Sequence, residues 1–137
     1  MNARRFLLIT AILFTLTTIS CKKKKADQHV PPDVEFKTGG TYTNVDRTVN
    51  KSDTIVVGIT ATKTEDDLKS YNVSYRFDGS TTSTTFFNYL LSDAEKSSYS
   101  RDVTFVTRNQ AGSETWVFSI VDRDGNITQK TIVLTVK

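Results

Sequence analysis

The chain has 137 residues, with 18 lysines and arginines against 15 aspartates and glutamates, one histidine and one cysteine. That length suits one modest domain, a lone cysteine excludes a disulfide scaffold, and a lone histidine removes the commonest general base and metal ligand. The formal charge of +3 is uneven: with Arg4, Arg5 and Lys22 to Lys25 set aside, 12 basic residues face 15 acidic ones. The remainder therefore lacks the electrostatic footprint of a nucleic-acid binder.

Arg4 and Arg5 precede the apolar run FLLITAILFTLTTIS, which ends at Cys21. A basic start, a short apolar stretch and a small residue before a cut predict a secretory signal peptide over residues 1–20. The run carries several threonines and stops at four lysines, short of the roughly 20 apolar residues of a spanning helix. Ile19, Ser20 and Cys21 resemble the lipobox of bacterial lipoproteins, with Thr18 where that pattern has Leu, Val or Ile. The resemblance implies that Cys21 becomes the first mature residue and that its sulfur carries a diacylglyceryl group. The other reading is ordinary cleavage that leaves a free thiol. With a lipid on Cys21, Lys22 to Lys25 would lie against headgroups, where each basic residue contributes about 1 kcal/mol at an anionic surface. The expected location is the cell envelope, anchored at the outer membrane, with periplasm-facing and surface-exposed orientations both open. Residues 21–32 form the tether and a linker closed by Pro31 and Pro32, with His29 expected in solvent.

From Asp33 to Lys137 nearly every segment alternates with period two, the signature of half-buried strands. In chain order, VEFK (34–37) aligns Val34 and Phe36, and TIVVGITATK (54–63) aligns Ile55, Val57, Ile59 and Ala61. SYNVSYRFD (70–78) aligns Tyr71, Val73, Tyr75 and Phe77, whereas TTFFNYLL (84–91) is apolar on both faces and has no evident inner side. In SDAEKSS, Ser92 and Glu95 have capping-box spacing and predict one helical turn. DVTFVT (102–107) aligns Val103 and Phe105, TWVFSIV (115–121) aligns Trp116, Phe118 and Ile120, and TIVLTV (131–136) aligns Ile132, Leu134 and Val136. Seven short strands predict an all-β, immunoglobulin-like sandwich over 33–137, with an eight-stranded barrel as the alternative. Trp116 is the expected centre of its core.

The stretch SETWVFSIVDRDGNITQKTIVLTV, Ser113 to Val136, resembles the last hairpin of bacterial immunoglobulin-like and PKD-like domains. The resemblance implies an aromatic strand, a D-x-x-G-N turn and a Thr-rich strand that close the sandwich, and it implies nothing about a ligand. The paired cysteines and the corner tyrosine of antibody domains are missing from the chain.

No catalytic constellation emerges, and no cofactor or metal is expected. Serines and threonines alternate along strands without a base at motif spacing. Asp122, Asp124 and Asn126 imitate the start of an EF-hand loop, but Gly125 stands at loop position 4 and Val133 at position 12, where position 6 is glycine and position 12 glutamate. The segment reads as a hairpin turn with Gly125 at positive φ. Asn72-Val73-Ser74 and Asn126-Ile127-Thr128 match the glycosylation acceptor, a match without meaning for bacterial export.

Sandwich topology sharpens this. One pole gathers Glu65, Asp66, Asp67, Asp122 and Asp124, either a solvated cap or a cation site, and receives the tether. The opposite pole would carry Tyr42, Arg47, Arg108, Asn109 and Gln110, hydrogen-bonding groups suited to adaptable recognition. The expected function is a non-catalytic binding or adhesion module for a glycan or an envelope protein, anchored to the membrane through Cys21. The alternative is a structural accessory subunit of a larger envelope complex.

Overall fold

Period-two alternation becomes eight strands in the computed structural model, which describes residues 29–137. The signal peptide, Cys21 and Lys22 to Lys25 lie outside the described residues. The strands are β1 (Asp33–Phe36), β2 (Arg47–Val49), β3 (Thr54–Thr62), β4 (Leu68–Phe77), β5 (Thr84–Leu90), β6 (Ser98–Val106), β7 (Gly112–Asp122) and β8 (Ile127–Val136). They form two sheets, β1-β3-β6 and β2-β8-β7-β4-β5. Strands one, three and six against the remainder is the partition of an immunoglobulin-like sandwich, with β5 added beside β4 as in variable-type domains.

The inward residues are those the alternation selects. Val57, Ile59, Val73, Phe118, Ile120 and Leu134 are fully enclosed between the sheets. Burying each such side chain contributes about 1.5–3 kcal/mol relative to leaving it in water, so the shared parity of seven segments determines the register.

β6 and β8 begin four residues before the expected segments, at Ser98 and Ile127, and two further elements differ in kind. β2 is additional: the chain leaves β1, passes along the outside of β3, and then pairs parallel with β8, from Arg47 opposite Leu134 to Val49 opposite Val136. The first strand is thus divided between both sheets, which closes that flank of the sandwich. β5 owes its two-sided pattern to a bulge: Val73 pairs with Phe87 but Ser74 pairs with Thr85, leaving Phe86 as the extra residue. The bulge turns Phe86 and Phe87 toward the core together, Phe86 within 5.3 Å of Trp116 and Phe87 within 5.9 Å of Tyr71 between ring centroids.

The local turns follow their residues. Glu95 accepts from the Ser92 amide at 2.9 Å and from its hydroxyl at 2.6 Å, holding the single turn Asp93–Glu95. Gly125 takes φ of 92° in the β7–β8 hairpin, a conformation without steric cost for glycine.

Candidate functional site

The five residues expected at the far pole do not share one place. Tyr42 lies on the outer face of the three-stranded sheet, where it bridges to Val56. Its hydroxyl donates to Asp102 at 2.9 Å, and the Lys37 ammonium donates to the same carboxylate at 2.7 Å. These side chains cross Gly58, where an added Cβ would come within 2.6 Å of the Lys37 stem and 2.8 Å of the Tyr42 ring. Glycine is required there by close approach, and the triad fastens the segment after β1 to β6 across β3. Lys37 holds the Asp102 carboxyl below its ordinary range, while the bond to Asp102 pushes the Tyr42 phenol up.

Arg47 starts β2, at the other edge of the five-stranded sheet from β5. The Arg108 guanidinium lies over Phe77 at the end of β4, and two strands stand between β2 and β4, a lateral distance of about 14 Å at the usual spacing, so Arg47 and Arg108 do not converge. Arg108, Asn109 and Gln110 do occupy the β6–β7 connection at the far pole, with Asn109 and Gln110 exposed.

Arg108 is held rather than free. Its guanidinium makes a two-pronged bond to Asp78, at 2.6 and 2.5 Å, and lies 4.7 Å from the Phe77 ring centroid. Arg108, then the Ser113 amide, keep the Asp78 carboxyl down at about 2. An added Cβ at Gly112 would overlap both partners of this pair, and its φ of 145° also excludes a side chain. The Arg108 Nε is buried and has no hydrogen-bond partner among the described residues.

Beside Arg108 the sheets part between the free edges of β5 and β6. The opening is a cleft of about 170 Å³. Its wall is a ring assembly: Phe105 and Trp116 stack with centroids 3.5 Å apart, Tyr75 lies 5.0 Å from Trp116, and Phe86 meets the stack edge-on. Trp116 is only 3% exposed whereas Phe86 is 45% exposed, so Phe86 is the ring a ligand would reach. Glu114, buried at the same place, accepts from the Arg108 amide at 2.7 Å and from the Trp116 indole N–H at 2.9 Å. The wall is therefore rigid, because its largest ring is fixed by stacking and by a buried hydrogen bond.

Phe86 and Glu114 were not among the expected site residues. Glu114 could have been found by parity, since it shares the inward register of Trp116, Phe118 and Ile120. Phe86 could not, because only the bulge aims it inward.

The acidic pole is neutralised from within. Arg123 pairs with Asp66 and with Asp124, Lys63 with Asp67 at 2.8 Å, and Lys96 with Asp93 at 2.5 Å. Asp122 is buried and accepts from the Asn126 amide and side chain at 2.8 and 2.9 Å. A groove of about 320 Å³ runs here between Leu90 and Leu91 and the stems of Lys69, Lys96 and Arg123. The Pro31 and Pro32 carbonyls accept from Thr64 and Thr128, so the chain enters the sandwich at this pole.

No protein-family model and no curated protein matches the sequence. Solved structures are similar to it in shape. A chitin-binding domain from Burkholderia pseudomallei aligns over 67% of this chain with a TM-score of 0.51 and 10% identity, and the match spans 57% of that chain's length. Murine CRIg aligns over 77% of this chain and 98% of its own, with a TM-score of 0.42 and 13% identity. At 10% identity the likeness to the chitin-binding domain speaks to fold alone, and the strand order is that of an all-β, immunoglobulin-like sandwich.

Proposed function

We propose that the chain is a lipoprotein of the bacterial cell envelope, held at the outer membrane by lipid on Cys21, whose sandwich is a non-catalytic binding module. Residues 22–32 tether the module, and its ligand meets the far pole at Phe86, Arg108, Asn109 and Gln110. The observation that supports this is Phe86 itself: a half-exposed ring set on a rigid stack, at the pole opposite the chain's entry. Concave apolar sites with a few fixed polar groups are the usual anchors for ligands. Tyr42 and Arg47 fall outside the contact, because one lies on the outer face of the three-stranded sheet and the other at the far edge of the five-stranded one.

The test uses the full chain in detergent with chitin fragments, prompted by the chitin-binding domain of like fold, and with purified envelope proteins. Phe86→Ala should weaken any hit at least about tenfold, while Asp66→Ala combined with Asp67→Ala should leave it unchanged. Loss in the acidic double variant alone would move the site to the other pole. For the anchor, Cys21→Ser should abolish incorporation of labelled palmitate and release the chain from membranes.

A second reading, an accessory subunit, is favoured by the outer face of the five-stranded sheet. Asn72, Ser74, Val117, Ser119, Gln129 and Thr131 cover its centre without a charge. Co-purification with an envelope complex that survives Phe86→Ala would support that reading.

A further inference from the structure

Four strands end the two sheets, and they are finished differently. β1 and β2 have four and three residues, and β5 is bulged at Phe86. Short length and bulges are how natural sheets blunt their edges. β6 has nine residues, contains no proline and pairs with β3 without a register shift.

The hydrogen-bond phase of β6 shows which of its backbone groups are open. The Lys63 amide donates to the Ser97 carbonyl at 3.1 Å and the Thr107 amide to the Asp53 carbonyl at 2.9 Å, one at each end of the ladder. Antiparallel pairs alternate, so odd-numbered residues bond to β3 while the N–H and C=O of Ser100, Asp102, Thr104 and Val106 face away from it. Among the described residues, these backbone groups have no partner.

Side chains of the odd residues point into the gap between the sheets. Phe105 belongs to the cleft wall, and Arg101, an exposed residue, holds its guanidinium 4.7 Å from the Phe87 ring centroid. Among the described residues no carboxylate comes within ion-pair distance of Arg101, and its charged and phenolic neighbours include Glu95 and Tyr99.

We propose that the β6 edge takes an added strand: an extended segment of a partner protein with a large apolar side chain opposite Phe105 and a carboxylate opposite Arg101. This rests on the binding reading above and names the partner for the same cleft. Main-chain bonds to the open groups of β6 supply the affinity in this mode, and pockets for alternate side chains supply the specificity. Residues directly opposite in a ladder point to the same face. The residue opposite Phe105 therefore enters the cleft beside Phe86, and the residue four positions away meets Arg101. At about 170 Å³ the cleft is below the roughly 300–1,000 Å³ of sites that enclose a drug-sized ligand, which suits one side chain.

The probe is a pair of synthetic threonine-rich peptides matching the nine residues of β6. Each carries phenylalanine and glutamate four positions apart, in opposite orders, one for each strand direction. Each is titrated against the full chain in detergent. One order should bind saturably and slow amide exchange at Ser100, Asp102, Thr104 and Val106 by at least about tenfold. Thr104→Pro removes an outward N–H that β3 does not use, a substitution edge strands tolerate, and should abolish binding while the chain stays folded. Arg101→Glu should weaken binding, and a peptide with lysine in place of its glutamate should restore it. Binding that survives Thr104→Pro, or a charge exchange without rescue, overturns strand addition. So does self-association through β6 with no peptide bound. If chitin fragments bind through Phe86 and neither peptide does, strand addition fails and the binding reading stands; if no probe binds, both fail.

Discussion

β7 carries a buried carboxylate at each end, and the two are satisfied in opposite ways. Asp122, at the pole where the chain enters, accepts from the Asn126 amide and side chain across a four-residue turn. Glu114, at the far pole, accepts from the Arg108 amide and from the Trp116 indole, joining β7 to the connection from β6. The first closes a hairpin that its own sequence already favours. The second exists only once two sheets have met, and the aromatic cleft is built around it.

The largest effect should come from removing the ring that Glu114 holds. Trp116→Ala loses the stack on Phe105 and leaves Glu114 without one donor, and should cost about 3–5 kcal/mol in chemical denaturation. Tryptophan fluorescence of the native protein should be shifted from that of the denatured chain; identical spectra would contradict the burial on which this rests.

Next in size is the contrast between the two carboxylates. Glu114→Ala orphans the buried Trp116 indole donor and the part-buried Arg108 amide, and should cost about 2–4 kcal/mol. Asp122→Ala frees donors of a turn residue that water can reach, and should cost about 1 kcal/mol. Equal losses by denaturant titration would show that the two ends of β7 are equivalent and remove the distinction.

The smallest effect is one of pH. Asp78 has its carboxyl held down at about 2, mainly by Arg108. A depressed carboxyl contributes stability above its unfolded value of about 3.9, and that contribution is lost as pH falls through the folded value. The melting temperature of the wild type should exceed that of Asp78→Asn at neutral pH, and the two should converge between about pH 4 and pH 2. Curves that stay parallel across this window would mean that the Asp78–Arg108 pair does not fasten the far pole.

Most of the architecture was legible because burial on one face imposes parity. Ile55 to Ala61, Trp116 to Ile120 and Ile132 to Val136 are inward as alternation requires. The turns were legible too, since Gly125 and the Ser92–Glu95 pair act on their own backbone. β2 was not, because three residues carry no period and its partner Val136 lies 87 residues beyond Val49. The inner side of β5 was not, because a bulge changes parity without marking the sequence.

The sequence by itself determined the all-β class, the facing of most strands and the local turns, since each follows from neighbours a few residues apart. Only the tertiary structure decided the site. It drew Tyr42 onto Asp102 over Gly58, set Arg47 on β2 and Arg108 in the β6–β7 connection, and brought Phe86, Phe105, Glu114 and Trp116 from three strands to one cleft. Such contacts depend on which strands become neighbours and on where a ladder slips by one residue. Sheet packing sets both, and local propensity does not encode either.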